Sequence, residues 1–320
     1  MQKPIKDLGA LLRETGENWW DHKAFKLAAS LSYYTIFSLA PVLVLVVAVA
    51  GLVLGRDAIE GRIVGEMQGM LGHDAAQLLQ TMLAASSGKK SSIIATVIGA
   101  VALLVGATSV MMELQDSLNT IWKVVPQPII GVLGNLKSVV KDRLLSLSIV
   151  LSFGFVLLVS LGMSAALAAV SAWVNGFIPA WVIVGEILSE VISFGSIAVF
   201  IALLFKFLPA AKIAWRDVWL GATLSSALFH GGKYLIGIYI GKASVTSTFG
   251  ATGSLAALLI WVYYSSLIML FGAEFTRAYA TKFGSGLQPD AGAMLAPDAT
   301  PDMLEQVRRP QAAQVTHRTA

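Results

Sequence analysis

Cysteine is absent from the 320 residues. That excludes a disulfide framework, a thiolate metal site and a cysteine nucleophile, and it identifies no redox compartment. Charge is scarce: Asp, Glu, Lys and Arg make up 13% of the chain, about half the share carried by soluble domains. No GxxxxGK[ST] run occurs, so there is no phosphate-cradling loop for a built-in ATP motor. The four histidines (His22, His73, His230 and His317) are scattered. They have neither metal-ligand spacing nor an acidic cluster beside them, so no metal site is expected. No Ser/His/Asp order points to a hydrolase. The sequence therefore supplies no catalytic residue and calls for no cofactor. A cleavable signal peptide is not expected either, because the first apolar run starts near Leu27, behind a charged leader, and is long enough to span a bilayer.

What fills the chain is apolar sequence, 56% of it, with a mean hydropathy of +0.73. A soluble core of this size could not bury so much, whereas lipid solvates it. The expectation is an all-α, polytopic membrane helix bundle with six transmembrane helices. The clearest span lies in TFGATGSLAALLIWVYYSSLIMLFGAEFTRAYATK, residues 248–282. Its 20 residues from Ser254 to Ala273 carry no charge, enough at about 1.5 Å per residue to cross the roughly 30 Å hydrocarbon core. Glu274 and Arg277 close it, three residues apart and so on one helical face. They read as an inner-boundary charge pair: an ion pair at the headgroups, or a gate or lipid-headgroup contact.

Five further spans precede it, at about 27–54, 93–114, 144–169, 181–208 and 218–240. Residues 1–26 form a cytoplasmic leader with a short amphipathic helix, whose apolar face is Leu8, Leu11, Leu12 and Trp19. Its expected role is an interfacial anchor. Residues 27–282 make the six-span domain, with an external amphipathic segment at 56–91 built on Ile59, Ile63, Met67, Met70 and Leu71 and on a second stripe from Ala75 to Leu83. Residues 283–320 are rich in Gly, Pro, Ala, Gln and Asp without an apolar period and read as a disordered cytoplasmic tail.

Of the 23 Lys and Arg residues, seventeen fall on the side of the two termini, five on the other side, and Lys233 inside a span. The positive-inside rule then places both termini in the cytoplasm. The basic residues are topology signals, so no nucleic-acid partner is expected; membrane lipids are the expected partners, and homo-oligomerisation stays open.

Two polar groupings lie inside spans. In the first span Ser30, Tyr34 and Ser38 recur every fourth residue. Hydroxyls facing lipid would go unpaired, so the stripe lines a pathway or bonds to neighbouring helices. In the fourth and fifth spans, Glu190 lies about 13 Å below the outer end of its helix and Lys233 about 12 Å below the outer end of the next, by 1.5 Å per residue. Glu186 shares a face with Glu190, and His230 shares one with Lys233. Each lone intramembrane charge costs roughly 3 kcal/mol. A buried cluster is therefore expected in which Lys233 pairs with Glu190 or Glu186. It is either a structural ion pair or a substrate-binding or proton-coupling site.

Several phrases occur together and in order: KLAASLSYYTIFSLAPVL, LQDSLNTIW, FKFLPAAKIAWRDVWLGA, GKYLIGIYIG and STFGATGSLAALLIWVYYSSLIMLFGAEFTRAYA. Across about residues 20–282 the chain resembles the YihY/virulence factor BrkB family of bacterial inner-membrane proteins. Glu186 and Glu190 fall outside these phrases. The resemblance implies a multi-pass protein of the bacterial inner (plasma) membrane, with links to transport, lipid export and envelope integrity. An old ribonuclease BN label attached to some members finds no support in these residues. The function expected is a transporter or exporter of a lipid-like or small solute substrate without its own ATPase. The rivals are a non-transporting envelope-integrity scaffold and a membrane-embedded lipid-modifying enzyme.

Overall fold

The computed structural model describes residues 3–71, 93–127, 181–243, 251–290 and 292–299, with single residues inside 76–83 and 148–163. The chain is mostly helical. In order the elements are α1 (Lys3–Asp21), α2 (Ala24–Leu54), α3 (Arg56–Leu71), α4 (Ile93–Trp122), β1 (Val124–Pro126), α5 (Trp181–Phe207), β2 (Ala211–Lys212), α6 (Trp215–Ala243), α7 (Ala251–Lys282), β3 (Gln288–Pro289) and β4 (Ala293–Leu295). Five of the helices run for 27 to 32 residues. Among the described residues, Ile187–Phe207 and Leu255–Lys282 are long and apolar enough to cross a membrane by length and composition. The third expected span, 144–169, and the connection after it lie outside the described residues apart from single positions.

α7 is the hub. It packs against α6, α2, α1 and α4; α4 also packs on α2, and α5 on α6. α2 continues through Pro41, although the ring removes the N–H that would otherwise bond to Phe37. The largest core lies at the end of the bundle nearest α1, here called the basal end. Leu118, Ile121 and Trp122 of α4 meet Phe205 and Leu208 of α5 there, all within 1% of complete burial. These residues come from LQDSLNTIW and FKFLP, so two family-like phrases are core-packing phrases.

α1 forms where amphipathicity predicts it, but its apolar residues divide between two faces. Leu11 is buried against Phe275 and Ala278 of α7, and Trp19 meets Phe271 edge-on, centroids 6.1 Å apart. Leu8 and Leu12 are exposed. The helix is thus docked on α7 as well as amphipathic. α3 likewise packs inward through Ile59 and Ile63, against Val47 and Leu83. The side chains of Met67, Met70 and Leu71 lie outside the description.

The expected disordered tail does not begin at residue 283. Residues 283–290 and 292–299 lie back across the basal end as a clasp. β4 pairs antiparallel with β1, Val124 opposite Leu295, and β3 pairs antiparallel with β2, Ala211 opposite Pro289. The physical reason is one apolar anchor and one buried acceptor. Leu287 is 1% exposed, inside the basal core. Asp217, in the first turn of α6 and 4% exposed, accepts from the Ser285 N–H at 3.0 Å and the Ser285 hydroxyl at 2.8 Å. Gly284 passes so close that an added Cβ would sit 2.5 Å from that carboxylate, and Gly286 takes φ +74°, a left-handed conformation that glycine adopts without strain. Composition hid this segment because its few apolar residues, Phe283, Leu287, Met294 and Leu295, are scattered among Gly, Ala, Asp and Pro and make no period. Leu287→Ala should destabilise the protein by about 2–5 kcal/mol, and Met294→Ala, at an exposed clasp position, by far less. Survival of the detergent-solubilised variants on heating reads the difference; equal survival would refute the clasp.

The clasp also carries charge. Lys123 donates to Asp298, and this bond holds the carboxyl below its usual range. A depressed acid contributes stability above its unfolded value and loses it as pH falls through the lowered one. The contact therefore persists at neutral pH and fails in acid.

Candidate functional sites at the two ends of the helices

At the basal end the Glu274–Arg277 pair forms, and it is buried. Glu274 is 0% and Arg277 5% exposed. The Arg277 Nε and Nη2 donate to Glu274 Oε2 at 3.2 and 3.1 Å. The other carboxylate oxygen meets Nδ1 of His22, which sits 252 positions away in sequence and has an 8% exposed side chain. Sequence reasoning left His22 among the scattered histidines. The turn joining α1 to α2 aims it: Lys23 takes φ 54°, and the Lys23 N–H bonds back to Trp20 at 2.9 Å. With Glu274 ionised, Nδ1 is the protonated ring nitrogen, because a carboxylate only accepts. One carboxylate thus joins α7 to the α1–α2 joint. A neighbouring cross-tie has the same character: Asn119 accepts from the Ala210 N–H at 2.8 Å, fixing the α5–α6 connection onto α4.

The second grouping lies on α5 and α6, nearer their opposite ends. His230 Nδ1 is 2.9 Å from the Ser226 carbonyl. A carbonyl only accepts, so Nδ1 carries the hydrogen and Nε2 is the open position. Nε2 stands 3.9 Å from Glu190 Oε2, beyond a direct hydrogen bond. The Ser226 hydroxyl donates across to Phe194 at 2.9 Å, and the Phe194 ring lies 5.4 Å from the imidazole. Glu190 has a 53% exposed side chain and His230 a 15% exposed one. Around Glu190 the surface of α5 is apolar: Ile187, Leu188 and Val191 are all exposed. Lys233 is half-buried one turn beyond His230 and makes no ion pair among the described residues. The structure therefore brings Glu190 to His230, with Lys233 beside them rather than on the carboxylate. The Glu186 side chain lies outside the described residues.

The first-span stripe separates into three environments. Ser30 is half-buried, Tyr34 exposed and Ser38 buried. The Ser38 hydroxyl donates to its own helix, at Thr35, 3.2 Å away, so it needs neither a neighbouring helix nor water. Among the described residues no group of three or more His, Asp or Glu is placed to hold a metal ion.

Comparison with known proteins identifies the family. Residues 15–294 match the family model described as virulence factor BrkB, and the chain belongs to that family. It is 29% identical over 272 residues to a UPF0761 membrane protein of Ralstonia nicotianae, covering 82% of this chain and 56% of that one. It is 31% identical over 192 residues to a UPF0761 membrane protein of Albidiferax ferrireducens, covering 59% and 43%. The chain thus spans about half the length of these relatives. No solved structure matches it.

Proposed function

We propose that this BrkB-family membrane protein is a six-span, inner-membrane facilitator that passes a lipid-like or small solute substrate without an ATPase or enzymatic step of its own. The observation that carries the reading is the Glu190–His230 pair on the exposed apolar surface of α5 and α6. Ionisable groups at bilayer depth mark substrate or proton pathways more often than packing, and an exposed carboxylate among Ile187, Leu188 and Val191 adds nothing to a core. The lateral position suits a substrate whose tails stay in lipid while its polar part moves along the helices. Purified protein in liposomes, assayed for lipid transbilayer movement and solute flux, tests this. Activity in the wild type that falls in Glu190→Gln supports it, and inert liposomes overturn it.

The threading in this reading keeps both termini cytoplasmic, which puts the basal clasp inside the cell. Because there is no native cysteine, Thr319→Cys should stay unlabelled by an impermeant thiol reagent in intact cells and react after permeabilisation. Labelling in intact cells would reverse the topology. The rival reading, an envelope-integrity scaffold, draws on the solidly packed basal end, where Trp122, Phe205 and Glu274 are all sealed. In that case liposomes stay inert and loss of the clasp alone accounts for loss of function.

A further inference from the structure

Most cations at the basal end are answered by a carboxylate. Arg13 pairs with Glu17, Lys123 with Asp298, Lys212 with Asp290, Arg277 with Glu274 and Lys282 with Glu14. Lys206 and Arg216 make no ion pair among the described residues. Lys206 lies in the last turn of α5, and Arg216 is exposed in the first turn of α6. The short connection between these helices sets both beside an exposed apolar face. Lys206 Nζ donates to the Ile213 carbonyl and stands 5.7 Å from the centre of the Trp215 ring. That ring meets Phe207 edge-on, centroids 5.9 Å apart. Phe207 and Trp215 are exposed, and so are Trp219 and Leu220 one turn further along α6.

Exposed indoles at the end of a membrane helix mark the headgroup level, so these cations face headgroups. The acid of the first turn of α6, Asp217, is buried and accepts from Ser285, so it offers the outer surface no counter-charge. The positive end of the α6 dipole adds to the two cations. A neutral lipid answers none of this charge. A zwitterionic headgroup brings its own ammonium, which meets like charge here. A phosphodiester of net negative charge answers it, while its acyl chains follow Trp219 and Leu220 into the bilayer. Arg216 supplies the planar fork that suits phosphate, and the Lys206 ammonium keeps two donors beyond its bond to Ile213. We infer that Lys206 and Arg216, with Phe207, Trp215, Trp219 and Leu220, form a docking site for an anionic phospholipid in the leaflet at the basal end. Arg216 is its main phosphate contact and Lys206 supports it.

The test reads this face alone. Thr223 is exposed and two helical turns beyond Arg216 on the same side. Thr223→Cys is the sole cysteine of the chain, and it carries a fluorophore on the full-length protein in phosphatidylcholine vesicles. Quenching by chain-spin-labelled phosphatidylglycerol is compared with quenching by chain-spin-labelled phosphatidylcholine. The labelled parent should favour phosphatidylglycerol by about fivefold, the factor that one cation at a headgroup supplies. Arg216→Gln should bring the preference towards one, and Arg216→Lys should keep most of it. Lys206→Gln should lower it by less. Lys282→Gln removes the same charge from a cation paired with Glu14 and should leave it unchanged. Arg216 is exposed, so its variants should match the parent in heat survival. No preference in the parent overturns the site, as does one that survives Arg216→Gln or falls equally in Lys282→Gln. A probe that neither lipid quenches means that a second copy of the chain covers this face, which also overturns it. The site stands apart from the transport reading, because vesicles in which the protein moves no lipid still report the preference.

Discussion

Replacing Glu274 by alanine is expected to cost about 3–5 kcal/mol, because it strands a buried guanidinium. Arg277 is 5% exposed, and its charge is balanced by a carboxylate that is itself sealed from solvent. Glu274→Gln keeps the shape and loses the charge, so it should fall between alanine and wild type. The double variant Glu274→Met with Arg277→Met should recover most of the loss, since a buried ion pair replaced by apolar groups of similar volume is often neutral or better. His22→Ala removes only a hydrogen-bond partner and should cost about 1–3 kcal/mol. The measurement is the fraction of monodisperse protein left after heating in detergent. If Glu274→Ala survives like wild type, the carboxylate is hydrated in the membrane and the network has no structural role. If the double variant is as damaged as the single, the loss belongs to packing rather than to a stranded charge.

Half of that network could be read from sequence and half could not. Glu274 and Arg277 are three residues apart, and helical geometry alone puts them on one face. His22 is invisible to any local rule, because its position depends on α1 folding back onto α7. The same division recurs elsewhere. α4 runs past its apolar stretch, about 93–114, through QDSLNTIW to Trp122. The burial of Trp122 and Leu118 beneath a C-terminal clasp depends on residues more than 160 positions away, since Val124 pairs with Leu295. In α2 the four-residue recurrence of Ser30, Tyr34 and Ser38 suggested one shared surface. Each step of four residues in a helix of 3.6 per turn drifts by about 40°, so Ser38 has turned into the bundle while Tyr34 remains outside. On α6, His230 and Lys233 are three residues apart, and helical geometry alone assigns them to one face. Which of them meets Glu190 depends on the α5–α6 crossing, which periodicity does not encode.

That crossing geometry continues at the seam between α6 and α7, where the second large effect is expected. Gly221 and Gly272 face each other there. A Cβ built on Gly221 would stand 2.8 Å from the Gly272 carbonyl oxygen and would overlap the Thr276 hydroxyl. A Cβ on Gly272 would meet the Ser225 side chain, with Ser225 Cβ at 3.1 Å, and the Gly221 carbonyl at 3.2 Å. The obstruction at Gly221 includes backbone, so no rotamer change relieves it. The helices must separate, and close approach through small residues is what holds helices together where lipid supplies no hydrophobic drive. Gly221→Ala should therefore cost about 1–3 kcal/mol, and Gly221→Val more, because its γ carbons press further into the same seam. Gly231 lies on the same helix ten residues on, with nothing within 4 Å of an added Cβ. There alanine should be neutral or stabilising by up to ~1 kcal/mol, the ordinary gain of alanine over glycine in a helix. The two substitutions share chemistry and helix and differ only in what faces them. Opposite shifts in heat survival would locate the α6–α7 contact at Gly221. Equal shifts would mean that these helices do not cross there, and the placement of His230 against Glu190, which rides on the same helix, would have to be redrawn.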